Sequence, residues 1–253
     1  TLGFKYLIEG LPMVRKEKSG ILGISFGGGI GLLAALDLRI RDRVNYVISF
    51  GGYYDLANVV RFYTTGGYEF GAVKEQGRPA LWAKWYLILK NLDFLANSED
   101  RKIIDTIARK KFRDESAEVK ESISRLSSEG RAVYNLLVTS DFEDFPAHYR
   151  KLPPRVLKMF RDLSLSGQME EVKAEVILAH GVPDHVIPHT ESLRIADALG
   201  KRSDAHVKLL RLFHHTESAA LDESAQSLDL WEKIRQVWKL YTLVDRILKK
   251  AKM

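Results

Sequence analysis

"GILGISFGGGIGLL", residues 20–33, sets one serine among six glycines. An apolar run precedes Ser25 and a helical pattern follows it, so the stretch reads as a buried strand, a tight turn and a helix. A dinucleotide-binding turn needs G-x-G-x-x-G, and counting from Gly27 and Gly29 the third glycine position holds Leu32. A P-loop needs a lysine after its last glycine. Gly23 and Gly28 have the right separation, but Gly29 follows. The pattern that does fit is G-x-S-x-G, with Gly23, Ser25 and Gly27. In that turn the serine is held in a strained conformation that lifts its hydroxyl clear of the sheet, and the residues two before and two after it must be small. A plain strand-to-helix turn uses the same residues, so the chemistry depends on partners further along the chain.

Working outward, "VNYVISFGG" is a second buried strand, apolar along its length as in a parallel sheet covered on both faces. From about Tyr54 to Glu170 the strand patterns stop. "ALWAKWYLILKNLDFL", "DRKIIDTIARKKF", "SAEVKESISRLSSEGRAVYNLLV" and "PPRVLKMFRDL" carry apolar residues at helical spacing. Then "AEVILAHG" reads as strand, "TESLRIADALG" as helix and "HVKLLRLF" as strand. A long amphipathic helix ends the chain, with Trp231, Ile234, Trp238, Tyr241, Val244 and Leu248 on one face. The expected architecture is α/β: a mostly parallel sheet flanked by helices, residues 1–60 and 171–253, interrupted by an all-helical insertion, residues 61–170.

A serine nucleophile needs a base within reach and an acid to orient that base. Asp184 falls in the loop after one strand, in "LAHGVPDHVIP", and two histidines, His214 and His215, follow the next, in "FHHTES". Adjacent side chains on an extended chain point opposite ways, so only one histidine can face the serine. Each of these residues also has a plain loop reading. Together they stand in the order Ser, Asp, His, each just past a predicted strand.

In these motifs the chain resembles a serine hydrolase of the α/β-hydrolase fold with a helical cap. The resemblance implies Ser25 as nucleophile, Asp184 as acid, His215 as base and the Phe26 backbone N–H as one oxyanion donor, with Gly23 and Gly27 as the elbow glycines. It prefers His215 over His214 because "HTE" follows it. Should Asp184 prove dispensable, Glu217 and Asp222 in the histidine loop are the first other candidates for the acid. The second oxyanion donor has no counterpart here: only 24 residues precede Ser25, and none forms an HGGG-type stretch. The expectation is therefore the back part of a longer protein, with the sheet edge beside the elbow unpaired.

The implied activity is cleavage of a carboxylic ester or related acyl bond through an acyl-enzyme, on a small, apolar acyl substrate. The competing reading is a non-catalytic or truncated relative that acts as a binding module. Cap aromatics Trp82, Trp85, Tyr86 and Phe94 suit an apolar pocket, though the cap's own core would use them equally. No cofactor and no metal are expected, with His185 and His189 read as surface residues of the acid loop.

There are no cysteines, and the net charge of +6 reads as scattered over a mixed surface, so no nucleic-acid partner is expected. No apolar run reaches membrane-spanning length, and a cytoplasmic location is expected. The apolar face of the last helix is expected to pack on the sheet. The rival reading is contact with a membrane surface, with Lys233, Lys239, Arg246, Lys249 and Lys250 on its polar side. Composition says nothing of the oligomeric state.

Overall fold

The computed structural model describes residues 1–200, 205–211 and 229–252. The chain divides into two compact units, Thr1–Asp55 with Leu163–Met253, and Leu56–Asp162. These divisions fall five and eight residues before the boundaries read from the sequence.

The first unit is built on four parallel strands: β1 (Gly20–Ile24), β2 (Tyr46–Phe50), β5 (Glu175–Gly181) and β6 (Ala205–Leu210), in spatial order β1-β2-β5-β6. Ile24 lies opposite Phe50, and Phe50 opposite Ala179, so the strand ends line up along one edge. The continuous apolar run Val176, Ile177, Leu178 and Ala179 is buried because both faces of the sheet are covered. On one face Val47, Val176 and Leu178 pack against Leu32 and Ala35 of α2 (Phe26–Leu36) and Ile195 and Leu199 of α10 (Thr190–Leu199). Phe4, on α1 (Leu2–Gly10), joins the same cluster. On the other face Ile48, Ile177 and Ala179 meet Leu243 of α11 (Leu230–Lys252), flanked by Leu240 and Ile247. That helix leaves β1 uncovered: Leu22 and Ile24 stay 60% and 52% exposed. β1 is an edge strand, paired with β2 alone among the described strands.

α11 corrects one expectation. The row Trp231, Ile234, Trp238, Tyr241, Val244 and Leu248 faces away from the sheet and is exposed along its whole length. The row that takes the sheet is Gln236, Leu240, Leu243 and Ile247. The helix carries two rows at helical spacing, and polar anchors decide between them. Gln236 accepts a hydrogen bond from the Arg211 N–H (2.9 Å), Lys239 donates to the Leu209 carbonyl (3.2 Å), and Arg246 pairs with Glu175 (3.2 Å). Among the described residues, no helix is long and apolar enough to cross a membrane.

The second unit holds α3 (Leu56–Thr65), α4 (Trp82–Leu89), α5 (Ser98–Arg113), α6 (Lys120–Ser124), α7 (Ser128–Val138), α8 (Phe145–Arg150) and α9 (Pro154–Asp162). It also holds an antiparallel hairpin, β3 (Gly67–Phe70) and β4 (Val73–Gln76), so it is not wholly helical. The hairpin escapes a hydrophobicity reading because its strands are four residues long and mostly solvent-facing. Gly71, at φ 58°, supplies the positive φ that a two-residue hairpin loop requires.

The single helix read over "SAEVKESISRLSSEGRAVYNLLV" is two, α6 and α7. Ser127 breaks it by capping α7, its side chain accepting from the Glu129 and Gly130 amides. Trp85 is fully buried, its indole N–H donating to Glu115 (2.5 Å), so it belongs to the unit's core. Trp82 and Tyr86 cluster with Phe112 at the surface, ring centroids 6.1 and 6.4 Å away. A small apolar cavity of about 30 Å³ lies among Val60, Leu136, Val156, Met159 and Phe160.

Candidate active site

Ser25 sits between the last residue of β1 and the first of α2, at φ 58° and ψ −134°. It is the one non-glycine residue with positive φ among the described residues. An L-residue there carries strain of about 1–3 kcal/mol, held by surrounding structure. The holders are visible. The Ser25 N–H donates to the Phe50 carbonyl (2.8 Å), extending the β1–β2 ladder by one bond, and the Ser25 carbonyl accepts from Gly28 N–H (2.8 Å). Ser25 occupies the N-cap position of α2, yet its side chain makes no capping bond. The amides at the start of α2, Phe26 first, lie at the positive end of the helix dipole.

The glycines divide the work unevenly. A Cβ on Gly23 would stand 2.1 Å from the Gly27 carbonyl oxygen, so only glycine fits. A Cβ on Gly27 would meet nothing within 4 Å, which corrects the expectation that both positions are crowded. Gly28 instead allows close approach to β2, since a Cβ there would stand 2.3 Å from Ser49 Oγ.

Asp184 lies three residues past β5, with its side chain fully buried. Its Oδ1 accepts from the N–H groups of Val186 (2.7 Å) and Ile187 (2.9 Å), folding the loop around the carboxyl group. Its Oδ2 is 3.4 Å from Nε2 of His180, a residue with no place among the expected site residues. His180 is itself buried. Nε2 lies 2.8 Å from the Ile187 carbonyl and Nδ1 2.7 Å from Ser192 Oγ. The carbonyl can only accept, so Nε2 carries the proton, and Nδ1 accepts from the serine hydroxyl. His180 thereby pins the acid loop to the start of α10.

Glu191, also missed, is buried in α10. It accepts from the N–H groups of Tyr54 (3.0 Å) and Asp55 (2.8 Å), in the segment that follows β2. Burial pushes its pKa up to about 7, against the opposing pull of those amides and of Arg194. The same loop carries Tyr53, whose ring packs 5.3 Å from that of Phe26. Glu191 thus braces the segment beside the elbow. Its sequence signal was weak, because a glutamate in the first turn of a helix is ordinary.

Topology brings the loops of Ser25 and Asp184 to the same, carboxyl edge of the sheet. They leave strands two apart, a strand spacing of about 10 Å. β6 ends at that edge too, at Leu210. His214, His215, Glu217 and Asp222 lie outside the described residues. His189, expected at the surface, is buried where the acid loop meets α10. Among the described residues no group of three acidic or histidine side chains could hold a metal ion.

No family model matches the chain, and no curated protein matches it. Solved structures do. The acylaminoacyl peptidase of Pyrococcus horikoshii is 14% identical at a TM-score of 0.40, over 88% of this chain and 23% of the peptidase. Acetyl xylan esterase 1 from Thermoanaerobacterium sp. JW/SL YS485 is 16% identical at a TM-score of 0.38, over 87% and 47%. An alpha/beta hydrolase enzyme from a Medee basin deep-sea metagenome library is 15% identical at a TM-score of 0.39, over 88% and 65%. The chain spans less than two thirds of the length of each.

Proposed function

We propose that this chain carries a serine-hydrolase site that cleaves a carboxylic ester or related acyl bond. The observation that carries the reading is Ser25: a strained non-glycine residue at a strand-to-helix turn. Strain kept at such a position is a mark of function rather than of folding.

In this reading Ser25 Oγ attacks the acyl carbonyl carbon as His215 takes its proton. The Phe26 N–H donates to the oxyanion that forms. Asp184 holds the imidazole in its productive tautomer and offsets its charge. The proton then passes to the leaving alcohol, the C–O bond breaks, and the acyl group stays on Ser25. Water, deprotonated by the same histidine, releases the acid. Asp184 suits its role: burial and two backbone amides fix its orientation.

A fluorophosphonate probe tests the proposal. The expected result is one covalent adduct, on Ser25, lost in Ser25→Ala and in His215→Ala but kept in His214→Ala. The absence of labelling in folded protein would favour the binding-module reading, which the uncovered edge strand with exposed Leu22 and Ile24 supports.

A further inference from the structure

The outward row of α11 is apolar and exposed, and it carries two tryptophans and a tyrosine. Trp231 and Trp238 are 78% and 65% exposed, and Trp238 stacks on Tyr241 at 5.4 Å. The same helix carries seven basic and two acidic residues, so it holds five of the chain's six net positive charges. Lys239 and Arg246 are turned to the sheet, so a net charge of about three is left beside the uncovered apolar row. We propose that α11 docks the protein on an anionic phospholipid surface, with this row in the headgroup boundary and the flanking lysines and arginines on the phosphates.

The physical fit is specific. Tryptophan and tyrosine favour the membrane–water boundary, where an apolar ring body and a polar N–H or O–H are both satisfied. A helix of 23 residues is about 34 Å long and lies flat with its apolar row buried about 5–10 Å deep. Packing of Leu240, Leu243 and Ile247 on the sheet holds that row outward without any refolding. A second copy of the chain fits less well, because it would bring the same positive charges against these. Nucleic acid would meet the charges but leave Ile234, Val244 and Leu248 in water.

The test uses the whole chain with vesicles of phosphatidylcholine, with and without phosphatidylserine. Co-sedimentation and tryptophan emission provide the readouts. Association with the serine-lipid vesicles and a blue-shifted emission are expected, with binding to the neutral vesicles at least about tenfold weaker. Lys233→Gln with Lys249→Gln should weaken association about 25-fold, roughly fivefold per charge. Trp231→Ser with Trp238→Ser should weaken it about tenfold or more. Both pairs are exposed, so far-UV circular dichroism should match the parent protein. Equal binding to both vesicles, no binding at all, or binding unchanged by the tryptophan pair would overturn the proposal. So would a dimer that forms without lipid and dissociates in the tryptophan pair, since a second copy would then be what covers the row.

Discussion

A Cβ placed on Gly23 would stand 2.1 Å from the carbonyl oxygen of Gly27, while a Cβ on Gly27 would meet nothing within 4 Å. The two glycines of the motif therefore do different things. Gly23→Ala forces backbone to move at the turn and should cost about 3 kcal/mol. Gly27→Ala adds a better helix former in open space and should leave stability the same or raise it by up to about 1 kcal/mol. Urea midpoints of the two variants check this. Equal losses at both positions would mean the turn is crowded from both sides.

Ser25 gives the complementary prediction. At φ 58° and ψ −134° glycine is the residue the backbone favours. Ser25→Gly should raise stability by about 1–2 kcal/mol while removing the proposed nucleophile. Ser25→Ala should also lose activity but gain no such stability, because alanine keeps the strain. Thermal or urea unfolding of both variants, beside an ester hydrolysis assay, separates strain from chemistry. A destabilised Ser25→Gly would show that the serine side chain contributes more than its backbone costs.

Much of this was legible because two signals reinforced each other. Continuous apolar runs such as "EVILAHG" mark strands covered on both faces, and the turn glycines mark where the first of them ends. The turn at Ser25 and the place of Asp184 just past β5 follow from those runs. What stayed hidden had no pattern of its own. Glu191 and His180 take their importance from partners more than a hundred residues away, or from a carbonyl seven residues on. The hairpin β3–β4 is too short and polar to alternate visibly. On α11 both rows obey helical spacing, and the anchors of Arg246 on Glu175, Gln236 on Arg211 and Lys239 on Leu209 choose which one meets the sheet.

The acid loop can be tested apart from the acid. In Asp184→Asn the amide oxygen can still accept from the Val186 and Ile187 N–H groups, so the turn should survive. The charge disappears, and ester hydrolysis should fall by about 10⁴, as expected when the base loses its productive tautomer. Asp184→Ala removes both functions. It should lose activity and also about 1–3 kcal/mol of stability, because two buried amides lose their acceptor. Activity assays and urea unfolding on both variants provide the check. A fully active Asp184→Asn would move the search for the acid to Glu217 and Asp222.

Glu191 links the segment beside the elbow to α10, and it makes that link sensitive to pH. Its pKa in the folded protein is raised to about 7 from the ordinary 4.5, mainly by burial. Between those values the folded state holds a proton that the unfolded chain has released. Its stabilising contribution is therefore complete below about pH 4.5 and is lost as pH rises through about 7. A shift of this size corresponds to about 3 kcal/mol across the window. Glu191→Gln keeps an acceptor for the Tyr54 and Asp55 amides but cannot ionise. The difference in unfolding free energy between wild type and variant should thus change by about that amount between pH 4.5 and 8, in favour of the variant at the higher pH. Urea titrations at several pH values measure it, and subtraction cancels groups that titrate equally in both proteins. Parallel curves across the window would mean that the two amides and Arg194 hold Glu191 ionised despite its burial.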